Sequence, residues 1–358
     1  SSTKKGSQNE VRVGIIGAGR IGQVHADTIT YRLKGAKLIG VASGTKALAD
    51  RCSLDHGCQP YYDYHELLDN KDVDAVLICS ASNQHTKQII ESAEAGKHIF
   101  CEKPIDTNLN VINEALKAVK KHNVKFQVGF NRRFDTNYAR VKKAISSGEV
   151  GKVHMFHITS RDPAPPPLEY VKNSGGIWLD CSIHDFDMAR YLVDDEVEEV
   201  YALGAVNISP EIKQFGDIDT SLVTMKFKNG VMGTIDNSRQ AKYGYDQRCE
   251  VFGSEGSIAI NNNYPNSAVI STGKKIERDL PLYFFMDRYL DSFEVELDAF
   301  FNYVRGNGPN LCTGLDGRAP VVIAMAAKKS YMEKRPVKLS EVDVPLPAEL
   351  QGWDGLTH

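Results

Sequence analysis

Apolar segments alternate strictly with amphipathic segments through the first third of the chain, and this alternation is the feature that most restricts the fold. The apolar segments are short and rich in β-branched residues, as buried strands are, whereas the amphipathic segments have the period of helices. Strands separated by helices form right-handed βαβ units that assemble into a parallel sheet. We therefore predict an α/β domain with a doubly wound parallel (Rossmann) sheet over residues 11–131. Its predicted strands are Val11–Ile16, Lys37–Ala42, Ala75–Cys79, His98–Cys101 and Lys125–Gly129.

Beyond residue 131 the pattern changes to strand-like runs joined by short turns. Lys228-Asn229-Gly230 is a strong hairpin signal between two of these runs. Strands joined by tight turns pair antiparallel. We therefore predict a second, α+β domain over residues 132–340, built on a mostly antiparallel open sheet, with a C-terminal tail at residues 341–358. Residues 1–10 lack the apolar core of a secretory signal and are predicted to be a disordered tail or a remnant of cloning.

Charge and cysteine content exclude several classes of protein. The 43 basic and 46 acidic side chains give a net charge of -3, so broad attraction to nucleic acid or anionic membranes is not expected. The seven cysteines have irregular spacing and no C-x-x-C pair, which favours a reducing cytoplasm and no metal site. We predict a cytoplasmic protein that binds neither nucleic acid nor membrane.

A glycine motif of the form G-x-G-x-x-G, Gly17–Gly22, directly follows the first predicted strand and opens a helix. In that context Gly17 permits the tight turn, Gly19 lets the backbone approach a pyrophosphate, and Gly22 allows close helix–strand packing. The helix N-terminus offers free N–H groups to the phosphates. The motif therefore predicts a dinucleotide site that includes Arg20 and Ile21, the alternative being a glycine-rich turn without a ligand.

The residue at the end of the second strand selects the form of the dinucleotide. NAD enzymes usually place an acid there, roughly 20 residues after the motif, to bind the ribose hydroxyls. This chain has Ser43 at that point, followed by Thr45 and Lys46. Without an acid to repel a 2′-phosphate, and with Arg20 and Lys46 to bind it, we predict a preference for NADP, with NAD possible.

Glu102-Lys103-Pro104 follows a strand of the parallel sheet, and the carboxyl ends of such strands face the ligand crevice. There Lys103 can approach a substrate hydroxyl and stabilise a developing alkoxide, although most Lys-Pro turns are simple surface features. Further cofactor contacts are predicted at Ser80, Asn83, His85, Glu102 and Lys103.

Asp180 and His184 are four residues apart in a predicted helix and would share one face. A carboxylate beside an imidazole suits a general acid/base, whereas a surface pair or two metal ligands without a third are the alternatives. Several other polar residues follow strands and suit a polyol, although each could equally belong to an exposed loop. Together the predicted substrate contacts are Lys103, Asn131, Arg132, Asp162, Asp180, His184, Tyr243 and Tyr245.

The chain resembles the glucose–fructose oxidoreductase/inositol dehydrogenase family (Gfo/Idh/MocA), and within it the inositol dehydrogenases. The similar stretches are GAGRIGQVH, FCEKP, QVGFNRRFD, LDCSIHDFDMARYLVDD, KYGYDQRCEVFGSEG and CTGLDGRAPVVIAMAAKKS, from about residue 11 to 338.

The resemblance implies a catalytic triad of Lys103, Asp180 and His184, with polyol contacts from Arg132, Asp162 and Tyr243 or Tyr245. It also implies a homotetramer, with a dimer possible, that assembles through the open face of the second domain's sheet. The expected reaction is hydride transfer between a ring hydroxyl of a cyclic polyol, inositol first, and NAD(P). The alternatives are a sugar dehydrogenase of the same family and a non-catalytic regulator that senses NAD(P).

Overall fold

The computed structural model describes residues 10–353 and 355. All but the last residue of the predicted tail at residues 1–10, and most of the last five residues of the chain, lie outside the described part. The chain forms two compact units. Of the described residues, the first contains 10–131, Phe293–Arg318 and those from Val344 onward. The second contains Arg132–Ser292 and Ala319–Asp343. This division differs from a single second domain over residues 132–340, because part of that range packs with the first unit.

The first unit is built on a six-stranded sheet whose strand order is β3-β2-β1-β4-β5-β6. The strands are β1 (Val11–Ile16), β2 (Ala36–Ala42), β3 (Gln59–Tyr61), β4 (Ala75–Ile78), β5 (His98–Cys101) and β6 (Phe126–Val128). All described neighbours pair in parallel, which confirms the predicted doubly wound sheet. The edge strand β3 was not predicted, since three residues that include Pro60 give a weak strand signal.

Helices alternate with these strands, as the sequence predicts. They are α1 (Arg20–Asp27), α2 (Lys46–His56), α3 (Tyr64–Asp69), α4 (His85–Glu94) and α5 (Leu109–Lys121). A π-helical turn at Thr28–Arg32 extends α1. The side chain of Asn108 caps α5 by accepting hydrogen bonds from the N–H groups of Asn110 and Val111, which fixes where the helix begins.

The core of the first unit explains why residues 293–318 belong to it. Val13, Leu77 and Phe100 on the sheet are fully buried in one apolar cluster with Leu297 and Phe300 from the later helix. Leu297 and Phe300 both lie on α10 (Leu290–Val304), and a sequence window cannot show which sheet the apolar face of this helix covers. Each buried phenylalanine or leucine contributes roughly 1.5–3 kcal/mol by leaving water.

The second unit is built on a seven-stranded sheet with the order β12-β11-β7-β10-β9-β8-β15. Of the described pairings in it, only that of β7 with β10 is parallel. The prediction of a mostly antiparallel open sheet is confirmed. The strands are β7 (Val153–Arg161), β8 (Val197–Ala205), β9 (Thr220–Phe227), β10 (Met232–Ser238), β11 (Asp246–Gly253), β12 (Gly256–Ile260), the separate hairpin β13 (Val269–Ser271) and β14 (Ile276–Arg278), and β15 (Val337–Lys338).

The remaining helices are α6 (Thr136–Ser146), α7 (Leu168–Asn173), α8 (Ile183–Val193), α9 (Phe285–Arg288) and α11 (Gly314–Glu333). One face of the seven-stranded sheet is buried, and the other carries exposed apolar side chains at paired positions. These are Met155, Leu203, Leu222, Met232 and Phe252. Within the described part of the chain, no helix is both long and apolar enough to cross a membrane.

Candidate active site

The three glycines of the motif have different surroundings, and each matches a separate task. Gly17 has a φ of +103°, and a Cβ added there would lie 2.7 Å from the backbone of Cys79. A Cβ at Gly22 would lie 2.0 Å from the carbonyl oxygen of Gly17. A Cβ at Gly19 would meet no described atom within 4 Å. Gly17 and Gly22 thus shape the turn, whereas Gly19 keeps open a space that a pyrophosphate fits.

The helix after the loop offers donors to an anion. α1 begins at Arg20 with Gly19 as its N-cap, and among the described residues no side chain caps its first N–H groups. Its first turn contains no acid. The loop itself is fixed to the sheet, because the N–H of Gly17 donates to the carbonyl of Ala42 at 2.8 Å. Uncapped N–H groups and the positive end of the helix dipole favour phosphate at this point.

Ser43 lies directly after β2, where the sequence predicts contact with the adenosine ribose. Its hydroxyl accepts a hydrogen bond from the N–H of Thr45 at 3.1 Å. The next helix begins at Lys46, again without an acid in its first turn. Arg20 and Lys46 are both exposed, and the Lys46 ammonium is 3.8 Å from Asp50. Residues 43–46, which follow β2, contain no acid.

Ser80, Asn83 and His85 follow β4, but they differ in what they can bind. Asn83 is exposed and Ser80 is half-buried. His85 is 1% exposed, and its ring nitrogens lie 2.9 Å from the carbonyl oxygen of Ser80 and 2.7 Å from that of Pro104. Both ring nitrogens thus face carbonyl oxygens of the two loops. We expect His85 to hold these loops together, and its assignment as a cofactor contact stays a prediction.

Glu102 and Lys103 follow β5 at the carboxyl end of the sheet. The Glu102 N–H donates to the carbonyl of Ile78 at 3.0 Å, and its carboxylate lies 2.6 Å from Nε2 of His25. Lys103 is half-buried. Ligands of doubly wound sheets bind outside the carboxyl ends of the strands, so Lys103 stands at the expected edge, next to a residue that is anchored to α1.

Asp180 and His184 lie on either side of a change in helix type. A π-helical turn, Trp178–Ser182, contains Asp180, and α8 begins at Ile183. The sequence predicts one continuous helix here instead. A π-helical turn changes the rotation per residue. A separation of four residues therefore does not by itself place Asp180 and His184 on one helix face, as it would in a regular α-helix. Their pairing stays a prediction.

Arg239 contacts two of the predicted site residues and was missed by the sequence analysis. Its Nη1 lies 2.9 Å from a carboxylate oxygen of Asp180 and 3.4 Å from one of Asp162. The same nitrogen lies 3.2 Å from the sulfur of Cys181. Arg239 is only 4% exposed. We refer to Asp162, Asp180, Cys181 and Arg239 as the Arg239 cluster.

Hydrogen bonds orient the charged side chains of the Arg239 cluster. The hydroxyl of Tyr170 donates to Asp180 at 2.5 Å, and burial raises the pKa of Tyr170, so the phenol stays a donor. Burial also raises the pKa of Asp162, although Arg239 acts in the opposite direction. A carboxylate held by a guanidinium and a phenol has a fixed orientation. Asp180 is therefore held in one orientation by Arg239 and Tyr170.

Arg132 and Tyr245, two predicted polyol contacts, belong to a buried polar network. The Arg132 guanidinium donates to Asp185 at 3.0 Å and to the Tyr245 hydroxyl at 3.1 Å. Asn237 donates to the other oxygen of Asp185 at 2.9 Å. Burial raises the pKa of Asp185 to about 6. The network ties α8 to the sheet, so we expect Arg132 to position the residues of that helix.

Tyr243 and Asn131 have contrasting environments. Tyr243 is 40% exposed; its hydroxyl accepts from Arg161 at 3.2 Å and donates to Asp246. Asn131 is buried at the start of a 3₁₀ turn, Asn131–Phe134. Tyr243 is thus an accessible polar group that is already oriented by two charged neighbours.

Comparison with known families gives two matches. The description "Oxidoreductase family, NAD-binding Rossmann fold" matches residues 11–130, and "GFO/IDH/MocA C-terminal domain" matches residues 138–259. The chain belongs to the Gfo/Idh/MocA family. This Gfo/Idh/MocA protein is an oxidoreductase, as the sequence motifs predict.

Three proteins similar to this Gfo/Idh/MocA protein are named as inositol dehydrogenases. Myo-inositol 2-dehydrogenase of Thermotoga maritima is 45% identical, with 93% of this chain and 99% of the relative covered. Inositol 2-dehydrogenase of Rhizobium meliloti is 42% identical, with 92% and 99% covered. Scyllo-inositol dehydrogenase of Lactobacillus casei, crystallised with NAD(H) and scyllo-inositol, is 30% identical with a TM-score of 0.87, and 92% of this chain and 99% of that chain are covered.

Proposed function

We propose that this protein oxidises a ring hydroxyl of a cyclic polyol, with myo- or scyllo-inositol as the first candidates, and transfers the hydride to NAD(P). The observation that carries the proposal is similarity along almost the whole chain to proteins named inositol dehydrogenases. The donor and acceptor groups at Lys103, Asp180 and His184 suit the chemistry. A bound nicotinamide supplies the hydride acceptor.

The protein's own residues would have separate tasks in this reaction. The ammonium of Lys103 stabilises the alkoxide that develops as the hydroxyl loses its proton. His184, in its neutral form, accepts that proton. Asp180, fixed by Arg239 and Tyr170, orients His184 and stabilises its charged form. In the reverse direction the same groups return the proton to a ketone.

The form of the dinucleotide is a separate proposal. We propose a preference for NADP, because Ser43 brings no carboxylate to the end of β2 and Arg20 and Lys46 are exposed cations on either side of it along the chain. The uncapped start of α2 adds donors for a 2′-phosphate. The relative from Lactobacillus casei, by contrast, was crystallised with NAD(H).

Assembly and location follow the family resemblance. We propose a homotetramer, or a dimer, that forms through the open face of the seven-stranded sheet. On that face Met155 pairs with Met232 and with Phe252, and Leu203 pairs with Leu222. All five side chains are at least 39% exposed in the single chain, and burying them in an interface would be favourable. A cytoplasmic location also stays a prediction.

The test is absorbance of reduced nicotinamide with a panel of inositols and aldoses, each with NAD and with NADP. We expect turnover with at least one inositol and a higher kcat/KM than with glucose or xylose. Faster turnover of an aldose would make the protein a sugar dehydrogenase. Tight cofactor binding without turnover of any panel member would indicate a regulator. Lys103→Ala should abolish the signal, whereas Lys87→Ala, which removes an exposed lysine of the same unit, should not.

A further inference from the structure

Three ionisable side chains meet inside the first unit, and two of them, His25 and Glu296, have no role in the site described above. His25 on α1, Glu102 after β5 and Glu296 on α10 place their nitrogen and oxygen atoms within 4.8 Å of one another. We refer to these residues as the Glu296 cluster. His25 and Glu296 are 0% exposed, and the side chain of Glu102 is 13% exposed. Water stabilises charge poorly at this depth, so a carboxylate in the cluster can stay ionised only where a hydrogen-bond donor faces it.

His25 faces Glu102 through Nε2, which lies 2.6 Å from an oxygen of the carboxylate. Nδ1 of the ring is buried and has no hydrogen-bond partner among the described residues. Nε2 is therefore placed to donate to Glu102. Glu102 therefore has a donor that stabilises its ionised form.

Glu296 has no such donor. Both of its carboxyl oxygens are buried without a hydrogen-bond partner in the described part of the chain. Two carboxylates this close cannot both be ionised in an apolar core, and the one without a donor takes the proton. Burial, and then the charge of Glu102, raise the pKa of Glu296 well above its ordinary value.

Among residues 10–353, the structure records no cation that acts on the Glu296 carboxyl group, whose charged neighbour is Glu102. Cys79 directly follows β4 and Cys101 ends β5. Burial raises the pKa of both thiols, so they are neutral. On α10 itself Glu294 reaches the surface, where it lies 3.5 Å from Arg32. Lys103, next to Glu102 in the chain, is half-buried.

The other side of Glu102 is also enclosed. A Cβ added to Gly129 would lie 2.9 Å from an oxygen of Glu102, so the carboxylate packs directly against that backbone. His25 and Gly129 restrict the position of the Glu102 carboxylate. An O–H group from Glu296 would give that carboxylate a second hydrogen-bond donor. Any movement of Glu102 would be passed to Lys103 through one peptide bond.

We propose that Glu296 is a positioning residue: a neutral carboxylic acid that turns its O–H towards Glu102, fixes the Glu102–Lys103 turn and keeps a second negative charge away from Lys103. The effect on Lys103 rests on the proposed function, whereas the protonation of Glu296 does not. The two parts can therefore be tested separately.

Stability against pH tests the protonation. In the unfolded chain Glu296 ionises near its ordinary pKa of about 4.3, but in the folded protein it keeps its proton. The contribution of Glu296 to the free energy of unfolding is therefore fully present below that unfolded-state pKa of about 4.3. It is lost as the pH rises towards the folded-state pKa of Glu296. Glu296→Gln has no proton to lose. The ratio of its folding equilibrium constant to that of wild type should rise up to about tenfold per pH unit between about pH 5 and 8, measured by urea unfolding at one protein concentration.

Glu294→Gln is the matched control, because it removes a surface carboxylate from the same helix, and its ratio should stay flat over this range. Infrared difference spectra, wild type minus Glu296→Gln, should show the C=O stretch of a protonated carboxyl group at pH 8. A flat stability ratio together with no such band would overturn the proposal. So would a metal ion that copurifies with wild type and is absent from Glu296→Gln, since the cluster would then be a cation site.

Activity tests the positioning. Glu296→Gln keeps a donor and should retain kcat within about twofold, whereas Glu296→Leu should lower kcat about tenfold with little change in the cofactor KM. Equal kcat in the two variants would refute positioning. If no polyol is oxidised by wild type, the proposed function fails, and the stability and infrared measurements still decide the state of Glu296.

Discussion

Replacing Gly19 with alanine should separate cofactor binding from folding. Gly19 has φ -75° and ψ -163°, an extended conformation that alanine adopts without strain. The added Cβ would meet no described atom within 4 Å. Alanine also restricts the unfolded chain, so we expect the apoprotein to be unchanged or stabilised by about 0.4–1 kcal/mol.

The same methyl group should weaken dinucleotide binding. It would occupy the space through which a pyrophosphate approaches the N–H groups at the start of α1. Loss of one hydrogen bond to a charged group costs roughly 1.5–3 kcal/mol, which corresponds to about a 10- to 150-fold increase in Kd. Isothermal titration with NAD and with NADP gives the Kd values, and thermal unfolding of the apoprotein gives the stability.

Gly22→Ala is the contrasting variant, because its Cβ would lie 2.0 Å from the carbonyl oxygen of Gly17. We expect it to lower the melting temperature of the apoprotein as well as its affinity. If Gly19→Ala binds both dinucleotides with wild-type Kd, the pyrophosphate does not lie over Gly19, and the reasoning about the loop is refuted.

Three further variants test the proposed chemistry. His184→Ala should lower turnover at least about 100-fold, the usual scale of a lost acid/base group, while calorimetry shows unchanged cofactor binding; near-normal turnover would remove His184 from the mechanism. The kcat of polyol oxidation should increase with pH as neutral imidazole forms, with a midpoint near about pH 6.5 for an ordinary histidine. Asp180→Asn should shift or flatten this rise of kcat with pH. Ser43→Asp combined with Arg20→Ala should move the kcat/KM preference from NADP towards NAD, and a wild type that already prefers NAD would contradict our assignment of Ser43.

The sequence predicts the first unit well because its signals are local. A strand, a glycine turn and a helix follow one another at Val11–Asp27, so a single window contains the whole phosphate loop. The strand at Gln59–Tyr61 escaped prediction, since only pairing with its neighbour makes it a strand. The sequence also did not predict that α10 packs in the first unit, because only the folded structure shows which sheet this helix covers.

The candidate site in the second unit was less predictable. Asp180 and Asp162 could be selected as polar residues near predicted elements, but Arg239, which holds both, lies far along the chain and follows no motif. A buried arginine at the end of a strand has no signature until the sheet is assembled. The π-helical turn at Trp178–Ser182 was likewise invisible, because its apolar spacing is close to that of an α-helix.

The most direct test of the central claim is isotope transfer from a ring-deuterated inositol. The protein is incubated with myo- or scyllo-inositol that carries deuterium on its ring carbons and with oxidised NAD or NADP, and the reduced cofactor is analysed by mass spectrometry. We predict one deuterium atom in each molecule of reduced cofactor, matched by an equal amount of ketone product. Reduced cofactor without deuterium, or no reduction with any inositol while an aldose is oxidised, would contradict the proposed function.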